Sequence, residues 1–223
     1  MTIRTITLAV ALIFSTMAAH AEIVEIDVPG STERILIDLP KGWAEAHRET
    51  KDAQTLIEYI PEGQTVGNWD EMITVTLLTR KMPGENAHEN LAKLWAAIFA
   101  KTVCREEPKS PVVVSGHHNG FPTAAYSLSC LVKPIAKKLP QIYARDYELI
   151  SGLVIDGGDG IYQVQRAWHT DEFKVNEAGL IEDGYAAAQK LAAVGEETSV
   201  FVERMVLPCD TADSAKPCVL PAQ

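Results

Sequence analysis

The feature that most constrains this chain is a series of short β-like segments separated by proline and glycine turns. Residues 33–40 read ERILIDLP, in which Ile35, Ile37 and Leu39 alternate with charged neighbours, the pattern of a half-buried strand. Pro40 and Gly42 end it, and Trp43 is expected to tuck beneath the sheet. A second strand over 54–60 stops at the turn PEGQT. A third, over 70–80, is rich in β-branched residues and long enough to be central. Residues 112–115 and 124–131 flank GHHNGFP, and residues 145–155 and 161–168 flank DGGDG, so both pairs read as hairpins. The glycines of DGGDG are expected to supply the positive φ that a tight turn needs.

Two segments carry a helical period instead. Over 85–103 the positions Leu91, Leu94, Trp95, Ile98, Phe99 and Thr102/Val103 recur at helical spacing. Glu85 and Glu89 near its start and Lys101 near its end suit the helix dipole. Trp95 and Phe99 are the expected anchors on the sheet. Residues 177–194 are helical and alanine-rich, and 196–207 read as a further helical turn or an extended tail. Adjacent hairpins imply antiparallel pairing, so the expected fold class is α+β: a mainly antiparallel sheet flanked by helices.

Residues 1–21 read as a cleaved secretory signal. Arg4 precedes an apolar run over 6–14, and Ala19-His20-Ala21 forms an A-x-A boundary before Glu22. That run is too short for a permanent span, which takes roughly 20 residues. No cysteine follows the boundary to carry a lipid. The expected organisation is thus a leader, 1–21, and one exported domain, 22–223, working in the periplasm or outside the cell. The four cysteines allow three pairings. The polar loop CDTADSAKPC favours Cys209–Cys218, which leaves Cys104 for Cys130, both as structural bridges. A formal net charge of −10 argues against nucleic acid and against an anionic membrane as partners.

An early strand ending in P-x-G-W (Pro40, Gly42, Trp43), one amphipathic helix mid-chain, and late hairpins before a final helix together resemble the PsbP-like α/β/α sandwich. The segments YIPEGQTVGNWDEMITV, ELISGLVIDGGDGIYQVQRAW and the C-terminal CD…C look like those of uncharacterised secreted bacterial proteins. The resemblance spans most of the exported region and rests on architecture and turn spacing. It implies an accessory or binding module and carries no set of functional residues with it.

The residues themselves offer few reactive constellations. His117 and His118, in SGHHNG, could bind zinc or copper from an exposed turn. A metal needs three or four ligands, however, and His20, His47, His88 and His169 are scattered. DGGDG offers two carboxylates where a calcium loop needs five or more oxygens, so it reads as a hairpin turn. No G-x-S-x-G elbow and no phosphate-binding glycine loop occurs. Carboxylate pairs such as Asp70/Glu71 and Glu106/Glu107 are too numerous to single out a glycosidase pair. Trp69, between a turn and the central strand, is a candidate exposed contact for a partner or a sugar. The basic link around Lys133, Lys137 and Lys138 could meet an acidic partner. The expected role is a non-catalytic binding or accessory protein of the periplasm or envelope, with no cofactor implied. The alternatives are a hydrolase of an envelope polymer and a small-ligand or metal carrier centred on His117 and His118.

Overall fold

The computed structural model describes residues 22–80, 84–105, 112–132, 147–170 and 184–219. The leader, the basic link at Lys133, Lys137 and Lys138, the Glu106/Glu107 pair and the start of the second predicted helix lie outside these residues. In chain order the elements are β1 (Glu22–Asp27), β2 (Glu33–Leu39), β3 (Trp43–Lys51), β4 (Gln54–Pro61) and β5 (Glu71–Leu78). Helix α1 (Ala87–Thr102), β6 (Val112–His118), β7 (Phe121–Leu131), β8 (Tyr147–Asp156) and β9 (Ile161–Thr170) follow. Helix α2 (Gly184–Val200) then runs into a π-turn (Phe201–Met205) and β10 (Val206–Asp210).

The large sheet has the order β3-β4-β5-β9-β8-β7-β6, and a small sheet has the order β1-β2-β10. Every pairing in both is antiparallel. The α+β class expected from the hairpins is the class observed. Side chains alternate across the large sheet and divide the interior in two. On one face Ile57, Ile73, Val75, Ile155 and Val164 meet Ile35, Ile37 and Leu39 of the small sheet, together with Phe201 and Val202 of the π-turn. On the other face Ala124, Tyr126, Leu128, Ile150 and Val154 meet α1. Both disulfides join the expected partners: Cys104 with Cys130, Cα atoms 5.4 Å apart, and Cys209 with Cys218, 5.0 Å apart. Among the described residues no helix is long and apolar enough to cross a membrane.

Three strands carry too little pattern to be read in advance. β3 is exposed from Ala44 to Lys51, an edge strand polar on both faces, so period two leaves no mark on its composition. Trp43 packs on the core as expected, but as the first residue of this strand. β1 buries one side chain, Ile26, and β10 is the extended version of the predicted tail.

Positive φ falls in the glycine turn other than the one expected to need it. In GHHNGFP the turn is only Asn119-Gly120, both with positive φ (49° and 80°), and the strands run to His118 and Phe121. That is a two-residue primed turn. In DGGDG no glycine has positive φ. A side chain at Gly157 would instead run into Tyr162 and Glu33, and one at Gly160 into the Leu78 carbonyl. These glycines make room. The space is filled by Glu33 of β2, 2% exposed, whose carboxylate accepts from the Gly158 and Asp159 backbone N–H groups and from the Tyr162 hydroxyl. Ser31 donates to Asp159 Oδ2 beside it, at 2.6 Å. One end of the small sheet is thereby fastened to the β8–β9 turn. Farther along, Arg166 of β9 bonds Glu71 and, at 2.9 Å, Glu197 of α2, tying that helix to the sheet.

Candidate ligand-binding site

Helix α1 does not pack as its large residues suggest. Its contact with the sheet is made by Leu91 and by the small side chains Ala92, Ala96 and Ala100, at i, i+4 and i+8. Leu94 and Ile98 stand 50% and 48% exposed, and Trp95 and Phe99 are half-buried along one flank. Tyr126, Leu128 and Ile150 already fill the sheet surface, leaving room for methyl groups beneath the axis. The Cys104–Cys130 bridge and the Arg105 N–H bond to the Leu131 carbonyl (2.7 Å) fix the C-terminal end of the helix to β7. In its first turn, buried His88 places Nδ1 3.6 Å from Asp156 Oδ2 at the end of β8.

The flank carrying the large residues borders a cavity of about 200 Å³ between α1 and the sheet. Trp95, Ile98, Phe99 and Val103 form its apolar wall, with Ile150 of β8 opposite. Its floor is polar. Tyr126 of β7 donates to Gln165 Oε1 at 3.0 Å, and Gln163 Nε2 donates both to the Tyr126 hydroxyl and to Gln165 Oε1, the latter at 2.9 Å. Gln163 and Gln165 are alternate residues of β9 and so share this face. The Tyr126 ring lies where a side chain of Gly152 would be, so that glycine fixes the depth of the floor.

Among the described residues, none that lines this cavity carries a charge. Burial pushes the Tyr126 phenol well above its ordinary value, against a smaller opposing effect of the Gln163 amide, so it stays neutral and protonated. Among the described residues the lining thus offers two amides, one phenol, the Thr102 hydroxyl and hydrocarbon, groups that can orient and desolvate a molecule.

The residues singled out in the sequence lie elsewhere. Trp69 is not an exposed contact: it is 5% exposed, with its indole stacked on His169 at 3.7 Å between centroids and 14° between planes. His169 Nε2 lies 2.8 Å from Glu148 Oε2, also buried, directly across the β8–β9 ladder. This stack closes one end of the α1-side core. His117 and His118 are strand residues, not turn residues, and neighbours in a strand face opposite sides. His118 Nε2 donates to the Val206 carbonyl at 2.6 Å, while Asn119 donates to the Pro208 and Pro217 carbonyls. The β6–β7 tip is thus fastened to β10 and the Cys209–Cys218 loop. His118 and Glu203 do line a second, smaller hollow of about 140 Å³. Among the described residues no three histidine, cysteine or acidic side chains converge as a metal site would require.

Sequence reasoning passed over Tyr126, Gln163 and Gln165. The available signal was IYQVQ, where two glutamines two residues apart share one face of a predicted strand. Trp95 and Phe99 of the wall are the residues the helical period marks as core anchors. No family model matches this chain, and no curated protein matches its sequence.

Proposed function

We propose that this protein is a non-catalytic binding protein of the periplasm or envelope, and that it holds a small neutral ligand between α1 and the large sheet. The observation that carries this reading is the Tyr126–Gln163–Gln165 floor set beneath an aromatic and aliphatic wall. Apolar walls with a few fixed polar groups are the usual make-up of small-molecule sites. The disulfide and the Arg105 backbone bond hold the C-terminal end of the helix bordering the cavity, which lowers the ordering that binding costs. Two disulfides accord with an oxidising compartment, and the leader-like residues 1–21 give the route there. The antiparallel sheet with helices on both faces supports placing the protein beside the PsbP-like sandwiches, whose members act mostly as accessory or binding modules.

Native mass spectrometry of protein purified gently from a periplasmic extract tests the reading. A retained small molecule that is lost on Ile98→Glu, a change at the exposed rim, supports it. Retained metal that depends on His117 and His118 would replace it with the carrier reading. A molecule retained equally by the Ile98→Glu variant would place binding elsewhere.

A further inference from the structure

The hydrogen-bonding capacity left over in the floor specifies the ligand more closely. Gln163 spends both amide hydrogens inside the network, one on Tyr126 and one on Gln165, which leaves its carbonyl oxygen free to accept. Gln165 spends its carbonyl oxygen, which accepts from both Tyr126 and Gln163, and keeps its two amide hydrogens. The floor therefore presents one acceptor and one donor group, both uncharged. The wall beside them is hydrocarbon and aromatic, from Trp95, Ile98 and Phe99. A charged ligand would be desolvated there without a counter-charge, and an anion would also meet the field of a chain at −10.

We infer that the cavity between α1 and β9 recognises a neutral secondary amide bearing a small apolar substituent, the chemistry of an N-acetyl group. The ligand carbonyl accepts from Gln165 Nε2, its N–H donates to Gln163 Oε1, and its methyl group lies against Trp95 and Phe99. A secondary amide satisfies both free groups at once. A plain hydrocarbon leaves both unpaired, and a carboxylate opposes the Gln163 carbonyl. A volume of about 200 Å³ limits the bound portion to one sugar ring or one amino-acid residue. This inference rests on the binding reading given above and names the ligand class of that site.

Saturation-transfer NMR on the disulfide-bonded protein tests it with four probes: N-acetylglucosamine, N-acetyl-L-alanine methylamide, glucose and glucosamine. The expected result is transfer strongest at the acetyl methyl of one or both acetylated probes, with glucose and glucosamine at least about tenfold weaker, the order expected when both amide hydrogen bonds are lost. Response to the sugar alone assigns the amide to glycan; response to the alanine derivative alone assigns it to acylated peptide. Gln165→Met, which keeps the volume and removes both polar groups, should weaken binding about tenfold. Ile98→Glu should abolish it while leaving the circular dichroism spectrum unchanged. Equal binding of glucose and N-acetylglucosamine, with Ile98→Glu still blocking both, would overturn the amide assignment and keep the pocket. If the acetylated probes are silent but a neutral fragment set yields a binder that Ile98→Glu blocks, the amide class is again wrong and the site stands. If no probe or fragment responds to Ile98→Glu, both inferences fall.

Discussion

Replacing Glu33 should cost this protein more than any exposed carboxylate, because the small sheet and the β8–β9 turn meet on its side chain. Glu33 is 2% exposed and accepts from the Gly158 N–H, the Tyr162 hydroxyl and, at 3.4 Å, the Asp159 N–H. Hydrogen bonds to a charged acceptor contribute roughly 1.5–3 kcal/mol each, and two of the three are made by the Gly158 N–H and the Tyr162 hydroxyl. The cost of burying the charge offsets part of that gain. Glu33→Ala is therefore expected to lose about 3–4 kcal/mol at neutral pH, and Tyr162→Phe, which removes one bond and leaves the Gly158 contact, about 1.5–2 kcal/mol. The two changes share one hydrogen bond, so a double-mutant cycle should return a coupling of about 1–2 kcal/mol. For a chain of this size each kcal/mol moves Tm by roughly 2–4 °C, putting Glu33→Ala about 6–16 °C below the parent. Urea and thermal unfolding followed by circular dichroism, with the disulfides intact, measure all three quantities. A Glu33→Ala protein within about 1 kcal/mol of the parent, or strictly additive single changes, would refute the clamp.

The same buried phenols set an alkaline limit. Burial raises the hydroxyls of Tyr59, Tyr126, Tyr147 and Tyr162 above their ordinary value of 10.0, and for Tyr162 the hydrogen bond to Glu33 adds to it. Above about pH 10 the unfolded chain releases protons that the folded one keeps, so stability is whole below that pH and falls as pH rises through it. Tyrosinate absorbance from these residues should appear together with loss of the circular dichroism signal; reversible ionisation near pH 10 in a folded protein would contradict the burial. On α1, Ala96→Leu should destabilise by about 1–3 kcal/mol through overpacking. The half-exposed Leu94→Ala should cost under about 1 kcal/mol. The reverse order in a denaturant series would restore the large-residue face as the core contact. Removing the Cys104–Cys130 bridge, with a sequence separation of 26, should cost about 3.5 kcal/mol against about 2.6 for Cys209–Cys218, with a separation of 9. Paired Cys→Ala variants compared by Tm decide that order.

Features fixed by neighbours in the chain were legible beforehand. Alternation marked β2, β-branched content marked β5, and the glycine turn between β8 and β9 marked that pair. Polarity and a proline favoured the Cys209–Cys218 loop, and that choice leaves Cys104 for Cys130. β3 escaped for the opposite reason: an edge strand wet on both faces has no contrast to show. Trp69 gave the wrong impression because a tryptophan beside a turn looks the same whether it faces water or an imidazole. His169 and Glu148, which make that place interior, lie far along the chain.

The candidate site was the least legible part. Trp95 and Phe99 carry the helical period of a buried face, and nothing local reveals that Ala92, Ala96 and Ala100 fit the sheet more closely. That choice depends on how much volume Tyr126 and Ile150 have already filled, which is a property of packed layers. Likewise, DGGDG announced a turn by composition, but only the arrival of Glu33 shows that its glycines are needed for space and not for positive φ. The sequence by itself indicated the two hairpins, a favoured cysteine pairing and the α+β class, because these follow from local periodicity, turn residues and loop composition. Tertiary structure alone decided which helix face is inside, which histidines are structural and where two glutamines and a tyrosine meet. Those outcomes depend on close packing between segments remote in sequence, where a single methyl group or a shared hydrogen bond decides the result.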